Sequence, residues 1–253
     1  MQRSELDKLL TVYGRKPVLE ALRDNSLNCH TLHLADSNRP AGILSEIEAL
    51  ATSRSLPVRF HPRRELSHIS RNAKQDQGVA LDILCPDFRS VDDYLQSSDD
   101  SAQRRLLALD GVTNPQNLGM IIRSVTAGNI DGLILPRRGN AALGPLVIKA
   151  SAGTVFRAPV LHCDALNPAL TACKAAGASI CILDGTAPES LFRRTAEPFA
   201  VYVLGSESEG VSAATRELAD RQLHIPMRNG VESLNVAVAA SLIAFAPTMT
   251  EAY

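Results

Sequence analysis

The stretch Ile225-Pro226-Met227-Arg228-Asn229-Gly230-Val231-Glu232-Ser233-Leu234-Asn235-Val236-Ala237-Val238-Ala239-Ala240 decides how the rest of the chain is read. Leu223-His224-Ile225 ends a short apolar alternation that Pro226 stops. Arg228-Asn229-Gly230 is a turn signal, because Gly230 takes φ > 0 without steric penalty. Ser233 or Asn235 then suits the N-cap of a helix that is apolar almost all round, the mark of burial. Its apolar part, Val236 to Ala246, is short of the roughly 20 residues that a bilayer span needs. Residues that donate and accept hydrogen bonds crowd the entrance to a helix that must be buried. That crowding points to a site.

Working outward, strands and helices alternate from Leu106. Leu106–Leu109, Gly132–Leu135, Ala158–Leu161, Ser179–Leu183, Phe199–Leu204 and Gln222–Ile225 read as strands. Leu118–Ala127, Leu146–Ala152, Pro168–Ala176 and Ala213–Ala219 read as helices, with Asn167 expected to cap the third. Nearly continuous apolar strands between helices predict a parallel sheet covered on both faces. No Gly-x-Gly-x-x-Gly follows any strand, so an ordinary dinucleotide-type site is not expected.

Residues 1–85 read as a smaller α/β unit, and 86–104 as an acidic, polar linker with a helical turn around Val91-Tyr94-Leu95. Within the first unit Arg54, Arg59, Arg63, Arg64, Arg71 and Lys74 cluster, as phosphate neutralisation requires; the competing reading is an ordinary solvated surface. Phe60, the aromatic inside this patch, is expected in the core rather than as a base-stacking platform. The 253 residues carry a formal net charge of −1, so there is no global basic field. Five cysteines without Cys-x-x-Cys spacing argue against a disulfide framework or a zinc site. The polar start, without an apolar segment, predicts no signal peptide, no membrane anchoring and a cytoplasmic protein.

Three further constellations give the resemblance. Asn114-Pro115-x-Asn117-x-Gly119-x-x-x-Arg123 follows a strand ending in Asp110-Gly111, and Asn117 is expected near the helix cap. Leu204-Gly205-Ser206-Glu207-Ser208-Glu209-Gly210 forms a loop, and Lys149-Ala150-Ser151-Ala152-Gly153 lies between them. With Ile-Pro-Met and Ser-Leu-Asn-Val-Ala-x-Ala these resemble, in order, the motifs of the SpoU (TrmH-like) RNA ribose 2′-O-methyltransferases of the trefoil-knotted SPOUT class. Gly14-Arg15-Lys16-Pro17-Val18-Leu19-Glu20-Ala21-Leu22 and Gln77-Gly78-Val79 resemble the L30e-like substrate-binding domain of the rRNA-modifying members. The chain departs from the pattern at Val125, Gly128, Asn129 and Ser208.

The resemblance implies a mixed α/β fold: an L30e-like domain over 1–85 and a catalytic parallel-sheet domain over 105–253. It implies methyl transfer from S-adenosylmethionine to a ribose 2′-hydroxyl, with Asn117, Arg123, Glu207, Ser233 and Asn235 at the reaction site. Leu204, Gly205, Glu207, Ile225, Met227, Ser233 and Leu234 would hold the cofactor, and Arg15, Arg63, Arg64 and Arg71 the RNA. Arginine stays protonated to about pH 12, so Arg123 reads as a grip on phosphate or hydroxyl and not as a base. A homodimer and no metal are implied. The favoured substrate is a guanosine of large-subunit rRNA. The same chemistry on tRNA, and a non-catalytic RNA-binding protein, are the competing readings.

Overall fold

The computed structural model describes residues 8–39, 41–97, 103–192 and 197–250, with side chains up to residue 246 in the last segment. The chain divides into two units, one running up to Pro86 and taking in Leu143–Pro145, the other holding Asp87–Ala142 and the chain from Leu146.

The first unit is built on strands β1 (Leu9–Tyr13), β2 (Cys29–Ala35), β3 (Val58–His61) and β4 (Val79–Leu84), in the sheet order β1-β4-β2-β3. Strand β4 is antiparallel to both neighbours, and β3 joins β2 in parallel as the exposed edge. Helices α1 (Arg15–Arg23), α2 (Ile43–Ser53) and α3 (Arg63–Ser70) complete it. Leu32, Leu34, Leu81 and Ile83 are fully buried, as alternation on a covered sheet face requires. Strand β1 runs directly into Gly14, at φ 92°, where the chain turns into α1. Phe60, expected in the core, is 65% exposed, because β3 is the edge strand and has a neighbour on one side only.

Of residues 86–104, expected as a linker, 98–102 lie outside the described residues and the remainder is largely folded. Strand β5 (Arg89–Ser90) pairs with a neighbour in the second unit, and helix α4 (Val91–Ser97) follows it. Phe88, Val91 and Tyr94 are buried, with Leu95 packed alongside, so a few apolar side chains in a polar segment suffice to anchor it.

The second unit holds an eight-stranded sheet in which every neighbouring pair is parallel. Its order is β10 (Glu189–Ser190), β12 (Arg221–His224), β9 (Ser179–Leu183), β11 (Phe199–Gly205), β6 (Arg104–Asp110), β7 (Gly132–Pro136), β8 (Val160–Cys163) and β5. Helices α5 (Pro115–Ala127), α6 (Pro145–Ala150), α7 (Leu166–Ala175), α8 (Ala213–Leu218) and α9 (Val236–Thr250) connect and cover the strands. Leu106, Leu107, Ala108 and Leu109 are all fully buried, the two-sided burial expected of a central parallel strand. Among the described residues no helix is long and apolar enough to cross a membrane.

Local packing bears on the departures at Gly128 and Asn129. Gly128 ends α5 where a Cβ would lie 2.8 Å from both Cβ and O of Ala244, and Asn129 N donates to Ala244 O at 2.8 Å. The smaller residue therefore lets α9 pack on the end of α5; Asn129 does not adopt positive φ. Gly119 does the same at the other end of α5, where a Cβ would lie 2.5 Å from Ala150 Cβ in the Lys149–Gly153 segment. Asn167 does not cap α7. The helix starts at Leu166, and Asn167 Oδ1 accepts instead from Thr215 Oγ1 at 2.8 Å.

Candidate active site

Strand β11 ends at Gly205, and the chain doubles back through Ser206–Gly210. Ser206 and Gly210 exchange two backbone hydrogen bonds, each 3.0 Å. This return needs glycine at 205, since a Cβ there would lie 1.9 Å from the Gly210 carbonyl carbon. Gly210 itself has φ +69°. Ser208, which departs from the family pattern, keeps a negative φ, so its side chain is tolerated.

The hairpin delivers Glu207 to the start of α5. Asn114, and not Asn117, is the N-cap there: its Oδ1 accepts from Gln116 N at 2.8 Å and Asn117 N at 3.4 Å. That leaves the Asn117 side chain, in a residue only 4% exposed, to turn toward Glu207. Asn117 Nδ2 donates to Glu207 Oε1, and Asn117 Oδ1 accepts from Asn235 Nδ2 at 3.1 Å. Asn235 Nδ2 also lies 3.2 Å from Glu207 Oε1, and Asn235 Oδ1 caps α9 by accepting from Ala237 N at 2.8 Å. Three loops are thus tied into one triangle of side chains. Two amide donors converge on one carboxylate oxygen, and the other oxygen makes no hydrogen bond among the described residues.

Beside the triangle a cleft of about 520 Å³ opens at the carboxyl ends of β9, β11 and β12. Leu204, Gly205, Glu207, Ile225, Met227, Ser233 and Leu234 all line it, as does Asn235. Its wall combines apolar side chains with loop backbone, the composition of a small-molecule pocket. The 228–231 turn, between the lining residues Met227 and Glu232, places Asn229 at φ 57° and Gly230 at φ 71°.

Arg123 is not joined to the triangle. It is exposed on α5 and makes no side-chain hydrogen bond or ion pair among the described residues. Six residues at 3.6 per turn set it roughly 120° round the helix from Asn117. Ser233 is exposed at the cleft rim without a hydrogen bond among the described residues. In the first unit, Arg63 is committed to the fully buried carboxylate of Asp76 at 2.9 Å, and Arg15 bonds Gln77 through its backbone N and its Nε. Arg64 and Arg71 are exposed and unpaired among the described residues.

Residues 104–245 match the model of the SpoU rRNA methylase family. The chain belongs to that family. Residues 11–84 match a second model, for RNA 2′-O ribose methyltransferase substrate binding. The chain is 32% identical over 241 residues to a protein of Mycobacterium ulcerans described as an uncharacterized tRNA/rRNA methyltransferase, covering 95% of this chain and 77% of that one. A Mycolicibacterium smegmatis protein with the same description is 34% identical over 238 residues, covering 94% and 75%. The fold is similar to that of the SpoU methyltransferase AviRb from Streptomyces viridochromogenes, solved with AdoMet, at TM-score 0.62, 21% identity and 96% and 91% coverage. It is also similar to an AdoMet-bound rRNA methyltransferase from Sinorhizobium meliloti, at TM-score 0.64, 21% identity and 96% and 88% coverage.

Sequence reasoning overlooked one wall of the cleft in this SpoU family member. Asp184-Gly185 follows β9 and lines it. Asp184 Oδ1 accepts from Thr186 N at 2.9 Å and Thr186 Oγ1 at 2.7 Å, and Oδ2 pairs with Arg216. The Thr186 bonds first, and then Arg216, hold the Asp184 carboxyl at a pKa of about 2. An Asp-Gly pair straight after an apolar strand was the available signal, as at Asp110-Gly111. Among the described residues no group of three or more His, Cys, Asp or Glu side chains is placed to hold a metal ion.

Proposed function

We propose that this protein transfers a methyl group from S-adenosylmethionine to a ribose 2′-hydroxyl of RNA, with a guanosine of large-subunit rRNA favoured over tRNA. The observation carrying the reading is the Asn117–Glu207–Asn235 triangle set against the cleft at the strand ends. The cleft suits the cofactor: its volume falls in the small-ligand range, and Leu204, Ile225, Met227 and Leu234 offer apolar contact beside loop backbone.

When bound, S-adenosylmethionine supplies a methyl group already activated by its sulfonium. The chain's own residues then have to align the acceptor. Glu207 is held by two amides on one oxygen, which leaves its other oxygen to accept a hydrogen bond from a ribose hydroxyl. Asn235 couples Glu207 to the helix α9 through its cap. Ser233 adds a hydroxyl at the rim. Arg123 grips the adjacent phosphate or orients the hydroxyl, remaining a cation throughout. Residues 105–253 carry this chemistry and residues 1–85 hold RNA, with Arg64 and Arg71 as phosphate contacts.

The proposed assembly is a homodimer. Met120 on α5 and Val238 and Phe245 on α9 are 42%, 47% and 37% exposed, along the line where Ser124 and Ser241 hydrogen-bond at 2.8 Å. These apolar side chains, flanking the α5–α9 seam, suit an isologous helix contact in a cytoplasmic enzyme. A monomeric mass by light scattering at micromolar concentration would sink the dimer. The function itself is tested by supplying labelled S-adenosylmethionine with rRNA and tRNA and mapping ribose methylation. Label in a base, or none in either RNA, would overturn the reading.

A further inference from the structure

Phe60 is the most exposed large hydrophobic side chain among the described residues, at 65%. It sits on β3, the edge of the first unit's sheet, beside Val58 at 36% on the same face. An aromatic ring left in water on a sheet edge contributes little to folding, and with Val58 beside it an apolar spot stands in a segment otherwise rich in arginine.

We propose that Phe60 is a stacking platform for an unpaired base of the substrate RNA. This rests on the RNA reading given above and extends it to the form of RNA engaged. Three observations select this occupant. From Arg54 to Arg64 the chain has four arginines and no acidic residue. Arg54 is used up by the carbonyls of Leu22, Asp24 and Leu27, and Arg63 by Asp76. Arg59 and Arg64 remain exposed and unpaired among the described residues, so two cations close to the ring along the chain have no structural duty; Arg59, next to Phe60 on β3, lies on the other face of the strand. The edge is also poorly suited to a protein strand. It is four residues long, it carries Arg59 at its centre, and Pro57 and Pro62, which lack N–H donors, bound it. An exposed aromatic ring on a short edge that also carries free arginines instead suits single-stranded nucleic acid: the ring stacks on a base and the strand's flexible backbone brings its phosphates to the cations. A duplex, with its bases already stacked on one another, offers the ring no open face.

The chain contains no tryptophan, so a Phe60→Trp variant would carry a single fluorophore at the point in question. Full-length protein is titrated with a single-stranded oligoadenylate, whose bases are unpaired, and with an RNA duplex of equal length. Oligoadenylate is expected to quench the Phe60→Trp emission, and the duplex to leave it largely unchanged. Phe60→Ala and Phe60→Leu should each weaken oligoadenylate binding by about 5- to 100-fold, the range for one stacked base, without altering its salt dependence. Leu preserves apolar bulk but not a π-face, so its failure to rescue separates stacking from plain hydrophobic contact. S-adenosylmethionine binding and melting temperature should not change, since the ring is exposed. Equal affinity of wild type, Ala and Leu variants, or no quenching on saturation, overturns the platform while leaving the RNA reading intact. A wild-type chain that binds no RNA at all overturns both. A shift in oligomer mass with Phe60→Ala, at unchanged RNA affinity, would assign the patch to contacts between copies of the chain and overturn the proposal.

Discussion

Gly205→Ala is the sharpest test of the cleft. The new methyl would lie 1.9 Å from the carbonyl carbon, 2.1 Å from the oxygen of Gly210, and 2.2 Å from Val211 N. These are backbone atoms, so no side chain can swing away. Reaching even the 3.0 Å floor of real Cβ contacts requires a shift of at least 1.1 Å (3.0 − 1.9). The backbone at 205 does not have positive φ, so the penalty is steric and not conformational. Overpacking of this kind costs about 1–3 kcal/mol. Loss of the two Ser206–Gly210 bonds adds about 0.5–1.5 kcal/mol each. The total of roughly 2–6 kcal/mol corresponds to a melting temperature lowered by about 5–20 °C for a domain of this size. Glu207 rides on the displaced hairpin, so S-adenosylmethionine affinity by calorimetry should fall at least ~10-fold and methylation further. Gly210→Ala is the control. It has open space and φ +69°, so it should cost only the roughly 1–2 kcal/mol of a left-handed non-glycine residue. A Gly205→Ala protein with wild-type affinity and melting temperature, or one milder than Gly210→Ala, would refute the hairpin geometry.

Arg123→Ala should fold and bind S-adenosylmethionine normally, while single-turnover methylation at saturating RNA falls ~100-fold; Arg123→Lys should rescue poorly, lacking the planar fork. Replacing Arg64 and Arg71 with Ala should lower the slope of RNA affinity against salt by up to roughly one for each phosphate no longer neutralised, measured by titration across salt concentrations. Arg63→Ala should instead lower the melting temperature, because the buried Asp76 carboxylate is deprived of its cation; an unchanged melt would contradict that division of labour. Asp184, with its pKa held at about 2, stabilises the fold above the usual carboxylate pKa near 4, and that contribution is lost as pH falls from about 4 to about 2. Asp184→Asn should therefore melt lower than wild type at pH 7, and the gap should close in acid. A gap independent of pH would mean that the Asp184 charge is not involved.

Much of the site is legible in the sequence. The seven residues expected around the cofactor all line one cleft, because Leu204–Glu207 and Ile225–Leu234 follow directly on two strands of one parallel sheet, and strand ends converge. Runs such as Leu106–Leu109, apolar at every position, are buried on both faces in any parallel arrangement, so composition alone determined the class of the second unit. What sequence could not decide depends on neighbours far along the chain. Asn114 and Asn117 are chemically equal candidates for the cap; only the arrival of Glu207, 90 residues later, turns Asn117 inward. Phe60 has the composition of a core residue, and only the strand order, with β3 at the edge, leaves it in water. Arg63 and Arg64 are adjacent and identical in type. The burial of Asp76 beneath one of them makes it structural and leaves the other free, because a buried carboxylate must find a cation whereas a solvated arginine need not.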